Sequence, residues 1–193
     1  MPMKFRRISA STNYGWCDYL VLPKADEIWS PLLRRRLRFP AASGVAVARF
    51  RRLPKKSLDL LGAVNGPLYS SEFVRAVAEC GLSGIDFQTV ELLPGSKVPA
   101  KTWFWANIAG RAAADPGPFL GDRFELCGVT GFCELIPGKD YMPPPAKVCL
   151  LEQPDADFFK LRNIHDGKVY LRDSAYSKLL LAGVTDFPTD ELS

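Results

Sequence analysis

Apolar and polar positions alternate in short runs along this chain and twice give way to helical spacing. Residues 4–8 alternate apolar with basic side chains, the period of a half-buried strand. Residues 18–22 read the same way and stop at Pro23. Pro31 opens a helix, because its missing N–H is no loss in a first turn. Leu32, Leu33, Leu37 and Phe39 form the apolar stripe of that helix, Arg34, Arg35, Arg36 and Arg38 its wet face, and Pro40 its end. Residues 45–50 are a further strand, and Pro54 makes the basic stretch behind it a loop or a sheet edge.

The middle of the chain is more regular. A strand over 66–69 runs into Ser70 or Ser71, either of which can cap a helix by accepting from a free first-turn amide. Glu72 suits the positive end of the dipole. Phe73, Val74, Val77 and Cys80 recur at helical spacing, and Gly81 supplies the left-handed stop. Residues 85–93 return as a strand. Trp103, Phe104 and Trp105, within 101–108, predict a strand packed on both sides. Residues 111–118 read as a connector, 124–133 as a pair of short strands, and the proline-rich 137–145 as a loop. Strands follow at 148–151 and 158–164, with His165-Asp166-Gly167 as a tight turn.

The end of the chain repeats the middle. Residues 68–72 parallel 169–173, the helix over 71–80 parallels 173–182, Gly81-Leu82 parallels Gly183-Val184, and Asp86-Phe87 parallels Asp186-Phe187 once gaps are allowed. Tyr176, Leu179 and Leu180 give the second helix its stripe. The unit is strand, helix, glycine stop, strand, repeated at about 100 residues.

Composition sets bounds on this picture. The chain has 193 residues, 47% apolar and 24% charged, enough for a sizeable core. Its apolar runs are far shorter than the roughly 18 residues of a membrane span, and no apolar segment follows the basic start as in a secretion signal. Five cysteines, an odd number without such a signal, read as reduced, mostly buried thiols of the cytoplasm. Charge is unevenly spread. Residues 1–56 hold 13 Lys and Arg against 3 Asp and Glu, or +10; residues 57–193 hold 12 against 18, or −6. An asymmetry of this kind either marks a surface for a partner or is a solvated face.

Reactive constellations are not legible. The single histidine, His165, sits beside a turn, away from any serine or cysteine pattern that would need it. Cys127 and Cys133 stand too far apart for a zinc knuckle, with or without Cys149, and read as buried thiols. Phosphate-binding glycine loops do not occur. The carboxylate pairs Asp155 with Asp157 and Asp190 with Glu191 fall in loop-like or terminal sequence, where solvation accounts for them. These readings point to a protein with no catalytic residues, no cofactor and no metal. The arginines of the first third could follow a phosphate backbone, with Phe39 and Phe50 stacking on bases.

Three segments carry a family resemblance. The first runs from Asp59-Leu60-Leu61 through Gly66-Pro67-Leu68-Tyr69-Ser70-Ser71-Glu72-Phe73 to Gly84-Ile85-Asp86-Phe87-Gln88-Thr89-Val90-Glu91-Leu92. The second is Trp103-Phe104-Trp105-Ala106-Asn107-Ile108. The third joins Asp157-Phe158-Phe159-Lys160-Leu161 to Val169-Tyr170-Leu171 and the closing helix. Together they resemble a family of bacterial immunity proteins found beside polymorphic toxins, over about residues 55–190. A related myxobacterial branch carries two CxxCG motifs. This chain has no CxxC, so that branch's zinc chemistry does not transfer.

The resemblance implies a cytoplasmic protein that binds one cognate toxin or effector domain and occludes its active site. The expected fold class is α+β, with mixed or antiparallel sheets, short helices and two related strand–helix–strand modules. The expected division is a basic module over 1–100 and a second over 101–193, or one continuous domain. Arg34, Arg35, Arg38, Arg51 and Arg52 cluster without local acidic partners and are the candidate partner-binding residues. The alternative is a nucleic-acid-binding module that uses the same arginines.

Overall fold

A computed structural model describes residues 4–8, 16–17, 19–21, 46–50, 53, 59–63, 67–121, 124–129, 131–136, 147–184 and 189–192. The fold is α+β, built from three sheets and two short helices among these residues. None of the described helices is long and apolar enough to cross a membrane.

The seven-stranded sheet has the order β2-β5-β6-β8-β7-β4-β3. Its strands are β2 (Trp16–Cys17), β3 (Tyr19–Val21), β4 (Ala46–Arg49), β5 (Leu60–Ala63), β6 (Leu68–Ser70), β7 (Ile85–Leu92) and β8 (Trp103–Ile108). The five-stranded sheet has the order β15-β1-β14-β12-β9. It comprises β1 (Phe5–Ile8), β9 (Gly110–Ala112), β12 (Phe158–Leu161), β14 (Tyr170–Arg172) and β15 (Thr189–Leu192). A three-stranded sheet joins β10 (Phe124–Leu126), β11 (Cys133–Leu135) and β13 (Ile164–His165). Helix α1 is Ser71–Glu79 and helix α2 is Asp173–Leu181.

The internal repeat recurs at the level of single hydrogen bonds, at an offset of 102 residues through both helices and their stops, so that Leu68 corresponds to Tyr170 and not, as predicted, to Val169. Helix α1 ends with Gly81 N–H donating to Ala78 O at 3.1 Å and Leu82 N–H to Val77 O at 3.1 Å. Helix α2 ends with Gly183 N–H donating to Leu180 O at 3.0 Å and Val184 N–H to Leu179 O at 3.0 Å. Both glycines have positive φ, which a side chain would resist. Ahead of the helices, Ser70 N–H donates to Asp59 O at 3.0 Å, and Arg172 N–H donates to Asp157 O at 3.0 Å.

The repeats nevertheless exchange strands. Within the first, β6 and β7 flank a strand that comes from the second half of the chain: β8 pairs Trp103 with Ser70 and Thr89 with Phe104. Within the second, β14 and β15 flank a strand from the first half: β1 pairs Phe5 with Arg172 and Arg6 with Glu191. The ladders correspond residue for residue, Trp103 with Phe5 and Phe104 with Arg6. The strand after each exchanged one then lies parallel to the outer strand of its own half, β2 on β5 and β9 on β12. Each of the two large sheets is therefore completed by the other half.

One core gathers the inner faces of both large sheets and both helices. Phe73 and Val77 of α1 meet Ala175 and Leu179 of α2 there, with Tyr69, Leu60, Phe158 and Leu171 from the strands. The repeat-equivalent positions Phe73 and Ala175 differ in size, so the large ring crosses toward the other half and meets Phe158 edge-on at 6.2 Å. A second core covers the outer face of the five-stranded sheet: Phe5, Phe159, Tyr170 and Leu192 pack under Phe119, Phe124, Cys133, Val148 and Ile164.

Several local expectations need correction. Residues 110–112, within and just before the predicted connector, form β9, because the parallel partner β12 fixes their backbone despite poor strand propensity. Residues 148–151 contribute only an isolated bridge, Ala114 to Leu150. The predicted strand over 158–164 breaks after Leu161, and Ile164–His165 joins the three-stranded sheet. The Asp166-Gly167 segment thus links two different sheets and closes no two-strand hairpin. Of the four cysteines whose side chains are described, only Cys133 is fully buried; Cys80, Cys127 and Cys149 are half-buried. On α2, Leu180 is exposed and Ala175 takes its place in the stripe.

Candidate functional site

The basic first third divides into two parts. Arg6 and Arg7 lie on β1, and exchange into the five-stranded sheet brings them onto acidic residues of the last third. Arg6 Nε donates to Asp173 Oδ1 at 2.7 Å, with its guanidinium 4.2 Å above the Tyr176 ring. Arg7 bonds Asp190 Oδ2 at 2.9 Å through its terminal nitrogen. Arg6 thus ties β1 to helix α2, and Arg7 ties β1 to β15. The predicted partner-binding residues Arg34, Arg35, Arg38, Arg51 and Arg52 all lie outside the described residues, as does the side chain of His165.

The residues that carry the family resemblance are structural at the start of α1. Ser70 is fully buried; its Oγ accepts from Phe73 N–H at 3.1 Å and donates to Asp59 Oδ1 at 2.7 Å. Lys101 Nζ stands 3.1 Å from Asp59 Oδ1 and 3.5 Å from Glu72 Oε2. The carboxylates Asp155 and Asp157 near the second repeat also hold backbone, while standing at the surface. Asp157 Oδ2 accepts from Ser83 N–H at 2.9 Å and from its hydroxyl at 3.0 Å, and Asp155 Oδ1 accepts from Arg111 N–H at 2.7 Å.

A buried ionisable cluster was not legible in the sequence. Asp166 is 5% exposed, accepts from the Tyr170 hydroxyl, and takes Lys168 N–H at 3.0 Å. Burial raises its carboxyl above the usual range, against the opposing hydrogen bonds of Tyr170 and Lys168 and the charges of Lys168 and Lys160. Burial, then the Arg111 charge, lowers the Lys160 amine to about 8. Burial, then the carboxylates of Asp166 and Glu134, raises the Cys133 thiol to about 11. A thiol so shifted is protonated at neutral pH and is a poor nucleophile. The only sequence sign of this cluster is a lysine between Phe159 and Leu161 in an apolar strand.

Two hollows lie on the described surface. One, of about 370 Å³, opens at the start of α2 beside Lys4, Arg172, Asp173 and Ser174. Its arginine is tied to the Pro154 carbonyl and its aspartate to Arg6. The other, of about 200 Å³, runs beside the connector between β7 and β8, past Leu92, Val98, Pro99 and Trp103. Apolar side chains also reach solvent at the β10–β11 hairpin, where Leu126 is 52% and Val129 93% exposed, and at Leu181 of α2, 89% exposed. No group of three or more His, Cys, Asp or Glu side chains among the described residues is placed to hold a metal ion. Comparison with protein-family models finds no match, and a search of curated proteins finds none either.

Proposed function

We propose that this chain is an immunity protein, which binds a cognate toxin or effector domain in the cytoplasm and blocks its active site or substrate path. The family resemblance over residues 55–190 motivates the reading. The observation that carries it is the uneven charge of the sequence, +10 over residues 1–56 against −6 over the rest. Of the 13 cations in residues 1–56, Arg6 and Arg7 are matched by Asp173, Asp190 and Glu191, while Arg34-Arg35-Arg36-Leu37-Arg38 and Arg51-Arg52 have no acidic neighbours in sequence. A basic block of this kind fits an acidic face on a protein partner. A stable complex would bury around 1,200–2,000 Å² in total.

The experiment is co-expression with the variable C-terminal domain of the protein encoded next door. The expected result is rescued growth and a complex that survives purification. Continued toxicity together with no complex would overturn the proposal. The same arginines suit a phosphate backbone, so a gel shift over a salt series belongs beside it: tight, salt-sensitive nucleic-acid binding would favour that second reading.

A further inference from the structure

We infer that this chain has a second assembled state, a dimer in which two copies exchange halves about the connector between β7 and β8. The inference stands on topology and is independent of the immunity reading. Each large sheet is closed by a strand from the other half of the chain, β8 between β6 and β7, and β1 between β14 and β15. The inner core is likewise shared, with Phe73 and Val77 from one half against Phe158 and Leu179 from the other. None of these contacts requires the two halves to belong to one molecule. The second half of another copy offers the same strand, the same register and the same core. The partner is therefore a second copy of this chain, meeting it through the interface the two halves already form.

The connector is divided so that only a short piece must change. Leu93 N–H donates to Ala48 O at 2.9 Å, Lys97 N–H to Phe50 O at 2.8 Å, and Phe50 N–H to Ser96 Oγ at 2.8 Å. Residues 93–97 are thus fastened to β4 and its extension, inside the first half, and keep those bonds in either state. At the other end, Ser71 N–H donates to Thr102 O at 3.1 Å and Lys101 meets Asp59 and Glu72. Those bonds cross between halves and re-form with the second copy. Between the two anchors lie Val98, Pro99 and Ala100, with Val98 75% exposed. Proline fixes its own φ and biases the residue before it toward extended backbone, so this tripeptide is suited to running straight from one copy into the next. Exchange of an identical element costs little when the contacts are retained and only a hinge is rearranged.

The test uses the full chain. Light scattering on size-fractionated protein gives mass over a roughly hundredfold concentration range, since the dimer must gain by mass action. Topology is read with Thr89→Cys and Phe104→Cys together, because these positions face each other in the β7–β8 ladder and belong to different halves. The expected result is a dimer that grows with concentration, reverts slowly on dilution, and after oxidation runs as a covalent dimer on a denaturing gel without reductant. The monomer fraction should give only closed monomers, and neither single variant should give the dimer band. A chain that stays monomeric over the whole range overturns the inference. So does a dimer whose oxidised form separates into monomers on denaturation, since that dimer would be held by outer surfaces alone.

Discussion

Gly110 lies so close to Phe158 that a Cβ on the glycine would stand 2.1 Å from the Phe158 carbonyl oxygen. Gly84, at φ +85°, makes the same approach, with 2.2 Å to that oxygen. Both glycines flank the point where the chain passes from β8 in one sheet to β9 in the other, and Ala156 stands behind the carbonyl in each case. The close approach is what allows Ala109 N–H to reach Gly84 O at 2.9 Å and Phe158 N–H to reach Ser83 O at 3.0 Å.

Gly110→Ala is therefore expected to destabilise the fold by about 1–3 kcal/mol, the usual range for forced overpacking, and toward its upper end because the obstacle is backbone. Urea denaturation measures it. A loss below about 0.5 kcal/mol would mean that the crossing has room to give.

Much of this architecture was legible in the sequence, and the boundary of legibility is physical. The repeat showed because Gly81-Leu82 and Gly183-Val184 close two helices of like length with the same left-handed stop, each helix running out of a short strand. The strands β1, β7 and β8 showed through their alternation or aromatic content. Their partners did not, because periodicity reports which residues face a core and not which strand lies alongside. Hence the exchange of β1 and β8 was invisible, and so was β9, whose Gly-Arg-Ala sequence is strand only by virtue of β12. Asp166 misled for a related reason: Asp-Gly signals a turn, and nothing local reports that Tyr170 will fold back to bury the carboxylate. The five candidate arginines fall outside the described residues, so their reading rests on charge alone.

Ser70→Ala is expected to cost about 1.5–3 kcal/mol. A buried helix cap is worth roughly 1 kcal/mol, and the remainder is the hydrogen bond lost to buried Asp59. Ser71→Ala, one residue on and removing a hydroxyl that donates to Glu72 Oε2 at 3.2 Å on the exposed side, should cost a few tenths of that. Thermal or urea unfolding of the pair decides it; equal losses would show that Ser70 is not the cap that matters.

Lys160 ties stability to alkaline pH. Its amine titrates near 8 in the fold against 10.5 ordinarily, so the folded state holds fewer protons than the unfolded state between those values. Stability contributed through this group therefore rises as pH climbs from 8 toward 10.5, and the cost of the buried charge is fully present below 8. Lys160→Met removes that cost. It should stabilise the protein by about 1–2 kcal/mol at neutral pH, after allowing for the lost attraction of Asp166. The advantage should shrink between pH 8 and 10.5. Urea midpoints of the two proteins across that interval provide the check, and a gap that widens with pH would reverse the sign of the argument.

The arginines of the first third should separate into two behaviours when the partner is present. Arg6→Ala removes an ion pair to Asp173 and a cation held over Tyr176, both on helix α2 where it packs on the five-stranded sheet. It should lower stability by about 1–2 kcal/mol and leave the association rate with the toxin domain nearly unchanged. Arg51→Glu with Arg52→Glu should do the opposite. Reversing two charges on a steering surface lowers the association rate by roughly tenfold or more at low salt, and the deficit closes as ionic strength rises. Unfolding midpoints for the second pair should move little, because no acidic neighbour in the sequence is left behind. Stopped-flow association at several salt concentrations, run beside urea melts on the same samples, distinguishes the two. Association rates insensitive to salt and to Arg51 and Arg52, in a complex that still forms, would move the interface away from the basic block and toward the exposed apolar residues Leu126 and Val129.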